Sequence, residues 1–519
     1  MILSRAIPNC NFKGLFALLF LCFTLASIGQ KKVEILNTEE VIFDEAKYGK
    51  NQFLKGNVKL KHEGTIMYCD QAQITPGNDI IARGNVKFNQ GDTLFMYGDE
   101  CDYWGELGEA SLRHNVKIID KKVKLEGPEA KYLRHSSHAF YTKRSRITIF
   151  ETGDYIESNK GNYFSNENLV LFVDSVVFTG NDGQVFTDSL RYNTETNIAR
   201  FLTPTKAIRD DSSSFFAQQG IYYRETKNAS FFGFVNAADS SNYIYADSLW
   251  YSDTLKRIEL YQNVFIQDTV NDWAIKSDYA EYYKELDSAS FPILNQLQFL
   301  SNKTDTTFIK TDSLTAYSKD GNRYLEAFGD IKIFGKEFQG LCKKLKYSQS
   351  DSLLTLYTEP VLWNGNSQIT GTKIDMVLGK DGIERMDIPK SSFITEKVDS
   401  IRYNQIKGRE LSAYFKNGDI NNIVIKGNGE AIYYAFDEKS DSTGVILEKT
   451  FIGVNQSQCS DMEVIMKLEG GGIANIRFLT KPDNKLTPAV KSLGQEFVLD
   501  GLQWLGNVKP TFDSVKISD

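Results

Sequence analysis

Two imidazoles three residues apart, His135 and His138 in the run HSSH, are the nearest this sequence comes to a metal-ligand pair. Such a pair needs at least one further ligand to hold an ion, and no cysteine or carboxylate is placed beside it in a ligand-like pattern, so a surface loop is the simpler reading. The signatures HExxH, CxxC and G-x-S-x-G are missing, and so is the phosphate loop GxxxxGK[ST]. Asp and Glu total 67, so a glycosidase-like carboxylate pair is not excluded, but nothing singles one out. The chain reads as a non-enzyme that needs no cofactor.

The chemistry that is written repeatedly is apolar. FLKGNVKLKH at Phe53 to His62 returns as IARGNVKFNQ at Ile81 to Gln90 and as LRHNVKIIDK at Leu112 to Lys121, a period of roughly thirty residues. Later copies are QNVFI at Gln262 to Ile266 and GDIKI at Gly329 to Ile333. In each copy apolar side chains alternate with polar ones, the mark of a strand with one apolar and one wet face. The inward candidates are Val58, Leu60, Val86, Phe88, Val116, Ile118, Val264, Ile266, Ile331 and Ile333.

A second element precedes each of these runs: D-x-(small or Leu)-x-(Tyr or apolar). It reads DEAKY ending at Tyr48, DQAQI at Asp70, DECDY ending at Tyr103, PEAKY ending at Tyr132, DSLRY ending at Tyr192 and DSLWY ending at Tyr251. The copies DSLTAY, ending at Tyr317, and RELSAY, ending at Tyr414, are blurred. The recurring tyrosines predict a stacked aromatic column between repeats. Gly-Asn and Gly-Asp dipeptides are expected between strands, where residues tolerant of positive φ turn the chain. Each repeat therefore supplies at least two strands. One repeat cannot bury its apolar face alone, so neighbours must stack, and 519 residues become a rod rather than a globule.

The totals agree. The chain has 34 Phe and 26 Tyr but only 10 Pro, which favours folded β structure without long linkers. A net charge of -7, with the signs interspersed, provides no basic footprint for nucleic acid. At the amino terminus, Arg5 and Lys13 precede the apolar run Gly14 to Ile28 and the small-residue exit SIGQ, which reads as a signal peptide over 1–29. Cys22 is a poor lipoprotein cysteine because Leu21 precedes it. Cleavage would leave Cys69, Cys101, Cys342 and Cys459. In the repeat alignment Cys69 and Cys101 are out of register and on opposite faces, so free thiols are expected.

Tandem D-x-A-x-Y and L-x-G-N-V elements behind an export signal resemble the OstA-like (LptA-like) family of lipopolysaccharide-transport proteins, best over Val33 to about Ile119 and more weakly beyond. The resemblance implies an elongated all-β jellyroll of antiparallel strands, a periplasmic location, and an apolar groove lined by the inward candidates above. It also implies lipopolysaccharide or a similar lipid as ligand, and other β-jellyroll components as partners through end-to-end strand pairing. Drive would come from an ATP-dependent extractor elsewhere. The expected organisation is a first jellyroll at 30–185, a second continuing the stack at 186–430, and a cap or docking segment at 431–519. The first edge, near Val33 to Phe43, is expected to accept a partner strand. The competing readings are a parallel β-helix that binds or degrades polysaccharide, and a structural scaffold of the cell envelope.

Overall fold

The computed structural model describes residues 32–516 except 92, 181–182, 210–212, 271–272, 294, 302–304, 337, 380–381, 417–418, 441–445 and 467–472, so the expected signal peptide lies outside the described residues. Among the described residues forty strands join one sheet, and every pairing between them is antiparallel. This confirms the elongated all-β architecture and removes the parallel β-helix.

Each repeat is a hairpin of two strands that are bent in the middle. Strand Gln52–His62 contains Gly56 and Asn57 in its interior, at φ +82° and +45°. Strand Ile80–Gln90 has Gly84 and Asn85 at +78° and +47°, and strand Arg257–Asp268 has Gln262 and Asn263 at +60° and +50°. The Gly-Asn dipeptides expected between strands therefore sit inside them. Two successive left-handed residues insert one extra residue opposite the partner strand, so the chain turns a corner without losing its pairing.

The corner joins the two repeated sequence elements. Asn85 Nδ2 donates to Asp70 Oδ2 at 2.8 Å, Asn115 to Asp99 at 2.7 Å and Asn263 to Asp247 at 2.7 Å. The aspartate that opens D-x-A-x-Y is thus the acceptor for the asparagine of the next GNV. Gly84 is required twice over: its φ disfavours a side chain, and an added Cβ would fall on the Asp70 carboxylate.

Bending gives every full-length strand two segments, and stacking them builds two facing walls. Residues after the GNV corner form one, here the valine wall; residues of D-x-A-x-Y form the other, the tyrosine wall. At the corner the alternation slips, so strand Thr65–Ile74 buries Met67 and Cys69 and then Ala72 and Ile74. For this reason Cys69 and Cys101 both face inward, not in opposite directions as the register had suggested, and all four described cysteines are free and buried. Burial pushes the Cys69 and Cys342 thiols up to about 12.

The core runs the length of the stack in two main clusters, one from Leu54 to Phe201 and one from Ala246 to Ile473. The expected boundaries at 185 and 430 fall within strands Gly183–Asn193 and Asp419–Ser440, and pairing continues across both. DEAKY is not a strand: Asp44 caps a single helical turn, Glu45–Tyr48. Ahead of it, Glu34–Asn37 and Glu40–Ile42 pair on one side with Gln52–His62.

After the last strand, Asp483–Pro488, the chain runs back along the outside of the valine wall as a strap. Three buried glutamines hold its backbone. Gln405 donates to Phe497 O and accepts from Leu499 N, Gln368 does the same with Gln503 O and Leu505 N, and Gln296 donates to Val515 O. Phe512 packs on Phe308 and Phe334. This cover explains why Trp363, Thr395 and Ile432, on the outer side of the wall, are fully buried.

Two outcomes follow. Gly84→Ala should cost about 1–3 kcal/mol in urea unfolding, more than Gly91→Ala, because Gly91 shares the positive φ but has open space at its Cβ. A maleimide at pH 8 should leave Cys69, Cys101, Cys342 and Cys459 unmodified in the folded protein and label them in denaturant; rapid labelling of the native protein would contradict the packing.

Candidate functional site: the interior trough

The two walls enclose a trough whose lining can be read along columns of paired residues. All the inward candidates lie on the valine wall. Val58, Leu60, Val86, Phe88, Val116, Ile118, Val264, Ile331 and Ile333 are 0–4% exposed, and Ile266 is half-buried. Sequence alternation found this wall but missed its partner as a lining surface.

The opposite column is Tyr103, Ala110, Tyr132, Ala139, Tyr163, Val170, Tyr192 and Ala199, each the cross-strand partner of the next. The tyrosines occupy alternate strands with a smaller residue between. They are therefore two strand spacings apart, roughly 9–10 Å, and do not stack on one another as expected. Tyr103 instead meets His62 edge-on and Phe88 at 6.2 Å. In the blurred copies Ala316 and Ala413 take the inward position, while Tyr317 stacks on Tyr324 outside and Tyr414 is exposed.

The tyrosine hydroxyls reach the free ends of the walls, where polar contacts tie the mouth. Tyr103 OH lies 2.8 Å from His62 Nδ1, Tyr163 donates to Asp120, and Tyr192 donates to Asn197, which itself donates to Glu151 at 3.0 Å across the mouth. Ion pairs Arg134–Glu63 and Arg224–Asp154 cross the same gap, and Lys122 Nζ donates to Asn168 Oδ1 at 2.9 Å. Burial, reinforced by Glu151, pushes the Tyr192 hydroxyl up to about 12, so this part of the lining stays uncharged near neutral pH.

Closure is not uniform. On the valine wall the column is buried at Leu60, Met67, Phe88, Met96, Ile118, Leu125, Ile147 and Ile156. It then becomes half-buried through Phe178, Val185, Ala207, Phe215, Ala237, Ile244 and Ile266, and is buried again from Ile275. The tyrosine wall changes in the same strands: Tyr192 is buried, whereas Tyr222, Tyr251, Ile258 and Tyr282 are half-buried. The cause is side-chain length. Val185, Ala207 and Ala237 stand where longer side chains fill the closed stretch, and the walls still meet where Phe215 packs edge-on against Phe231 at 4.5 Å. This window coincides with the gap between the two core clusters. Its sequence signal is the short residues Val185, Ala207 and Ala237 at inward positions, which alternation alone treats as equivalent to leucine.

As for the histidine pair, His138 stacks on Phe164 at 4.2 Å and bonds Asn162, and among the described residues no group of three or more His, Cys, Asp or Glu is placed to hold a metal ion.

Bent antiparallel strands stacked around an apolar trough define an elongated all-β protein of the jellyroll type. Residues 30–188 match the model of the OstA-like protein family. That family is one of periplasmic transport and binding proteins related to lipopolysaccharide transport. No curated protein matches the chain.

The tyrosine–alanine column has its own test. Ala139 lies between Tyr132 and Tyr163 and is buried, so Ala139→Leu should lower stability in urea by about 1–3 kcal/mol, while Lys131→Leu on the wet face of the same wall should change it little.

Proposed function

We propose that the protein carries lipid acyl chains in its trough, as part of a periplasmic bridge that delivers lipopolysaccharide or a similar lipid toward the outer membrane. The observation that supports this reading is the window, where both inward columns are apolar and yet reachable by solvent. An acyl chain of about a dozen carbons costs on the order of 10 kcal/mol to expose to water, so a lipid crossing an aqueous space needs continuous cover.

The window offers entry, and the closed stretches offer continuation. Parting the walls replaces contacts between apolar side chains with contacts to acyl chains, so little apolar surface changes its exposure. The mouth contacts are few and polar; neutral ones contribute about 0.5–1.5 kcal/mol each and those to charged groups about 1.5–3 kcal/mol, so parting them locally costs far less than exposing an acyl chain. The inward residues Val58, Leu60, Val86, Phe88, Val116, Ile118, Val264, Ile266, Ile331 and Ile333 then form the floor over which the chains move. Similar rungs offer similar affinity and no deep trap, and direction comes from an energy-using partner that loads one end.

Photocrosslinking in cells tests the proposal. A photoreactive residue at Phe215 or Ile244 should capture lipid strongly, one at Val86 or Ile118 should capture it in transit, and one at the outward Lys206 or Lys87 should not. Equal capture at inward and outward positions would overturn it. Ala237→Phe, which refills the window, should reduce capture at Phe215 several-fold without unfolding the protein.

A further inference from the structure

The strands that open the trough carry an unusual outer face. Behind Tyr251 and Ile258 on the tyrosine wall, two cross-strand rows lie side by side: Phe232, Ser248 and Tyr261, and Ser230, Trp250 and Glu259. Phe232 and Tyr261 are 47% and 38% exposed, and Trp250 is half-buried. Because Ser230 and Ser248 are short, the three rings stand around a shallow, open depression of about 440 Å³.

The polar groups at the depression are organised. Arg257 pairs with Glu259 at 2.8 Å and with Glu281 at 3.0 Å, and donates to Tyr279 OH at 3.2 Å. Its guanidinium also lies 5.3 Å from the Tyr283 ring. Glu259, only 12% exposed, accepts from the Tyr261 hydroxyl. A carboxylate held this firmly by its neighbours keeps its orientation while it retains lone pairs for another donor.

We propose that this depression is a saccharide site, in which a pyranose ring lies against Trp250 between Phe232 and Tyr261. The apolar C–H faces of a sugar ring match exposed aromatic faces, and its hydroxyls match the Ser230 and Ser248 hydroxyls and the Glu259 carboxylate. A purely apolar ligand would leave Glu259 and both serines without use, and an anionic one would meet two carboxylates against a single arginine. The site is on the outside of the wall, so it is independent of the trough and of the lipid reading. Two sources share this chemistry, the glycan of a lipid and the glycan of a cell wall.

The test is saturation-transfer NMR on the full protein with two neutral probes, a hexose oligosaccharide from the outer core of lipopolysaccharide and an N-acetylglucosamine tetramer. Transfer to at least one probe is expected, and which one responds identifies the source. Trp250→Ala and Glu259→Gln should each weaken binding at least tenfold, with the melting temperature of Glu259→Gln and lipid capture at Phe215 unchanged. Transfer to neither probe, or equal binding by both variants and the parent, would overturn the site. Loss of lipid capture with sugar binding intact would bear on the trough alone.

Discussion

Everything in this architecture depends on the left-handed corner in the middle of each full-length strand, which in several repeats is fixed by a bond from its asparagine to the aspartate of the strand before it. An unbent eleven-residue strand would make a flat, two-sided sheet with one face wet and no enclosed volume. The left-handed doublet at Gly84 and Asn85 folds each strand across its middle, and Asp70 fixes the doublet from the neighbouring strand. Repetition of that contact aligns the corners of successive strands into a ridge, and the walls on either side of the ridge then face each other. The trough is a product of corner chemistry, and the apolar columns are what that geometry selects.

Given two facing walls, side-chain length decides where the interior is filled. Tyrosine opposite the valine wall spans the gap and anchors its hydroxyl at the mouth, while alanine on the intervening strand makes room for it. Where the valine wall shortens, as at Val185, Ala207 and Ala237, the interior opens without any break in strand pairing. Continuity of the backbone ladder and continuity of the core are thus separate properties. The same ladder serves as seal or window according to a few inward residues.

Much of this was legible from the residues. The period, the antiparallel hairpins and the inward direction of Val86 or Ile331 follow from alternation and spacing, which need only local information. The position of Gly-Asn inside a strand was not legible, because residues that permit positive φ serve a turn and a bulge equally well. The facing of Cys69 and Cys101 failed for the same reason, since the corner slips the alternation on which the inference rested. DEAKY kept the motif but not the strand, because Asp44 finds a helical amide to cap. The strap was invisible, since its partners are glutamines in otherwise ordinary strands, and their meaning depends on contacts across a distance no local pattern encodes. The window was missed because it is a property of volume across two walls, not of polarity along one.

The strap makes the order of assembly a physical matter. Gln296 is bonded to a residue 219 positions later, and Gln368 and Gln405 likewise await backbone made 135 and 92 positions later. As the polypeptide emerges amino terminus first, the early hairpins complete themselves from neighbours already made. Those carrying Trp363 and Ile432 must stand with an uncovered apolar flank until the strap has been made. The middle and late portions of the stack therefore form a vulnerable intermediate, which invites either a holding factor or mispairing with another nascent chain. Once the last segment docks, it fastens many rungs in a single step.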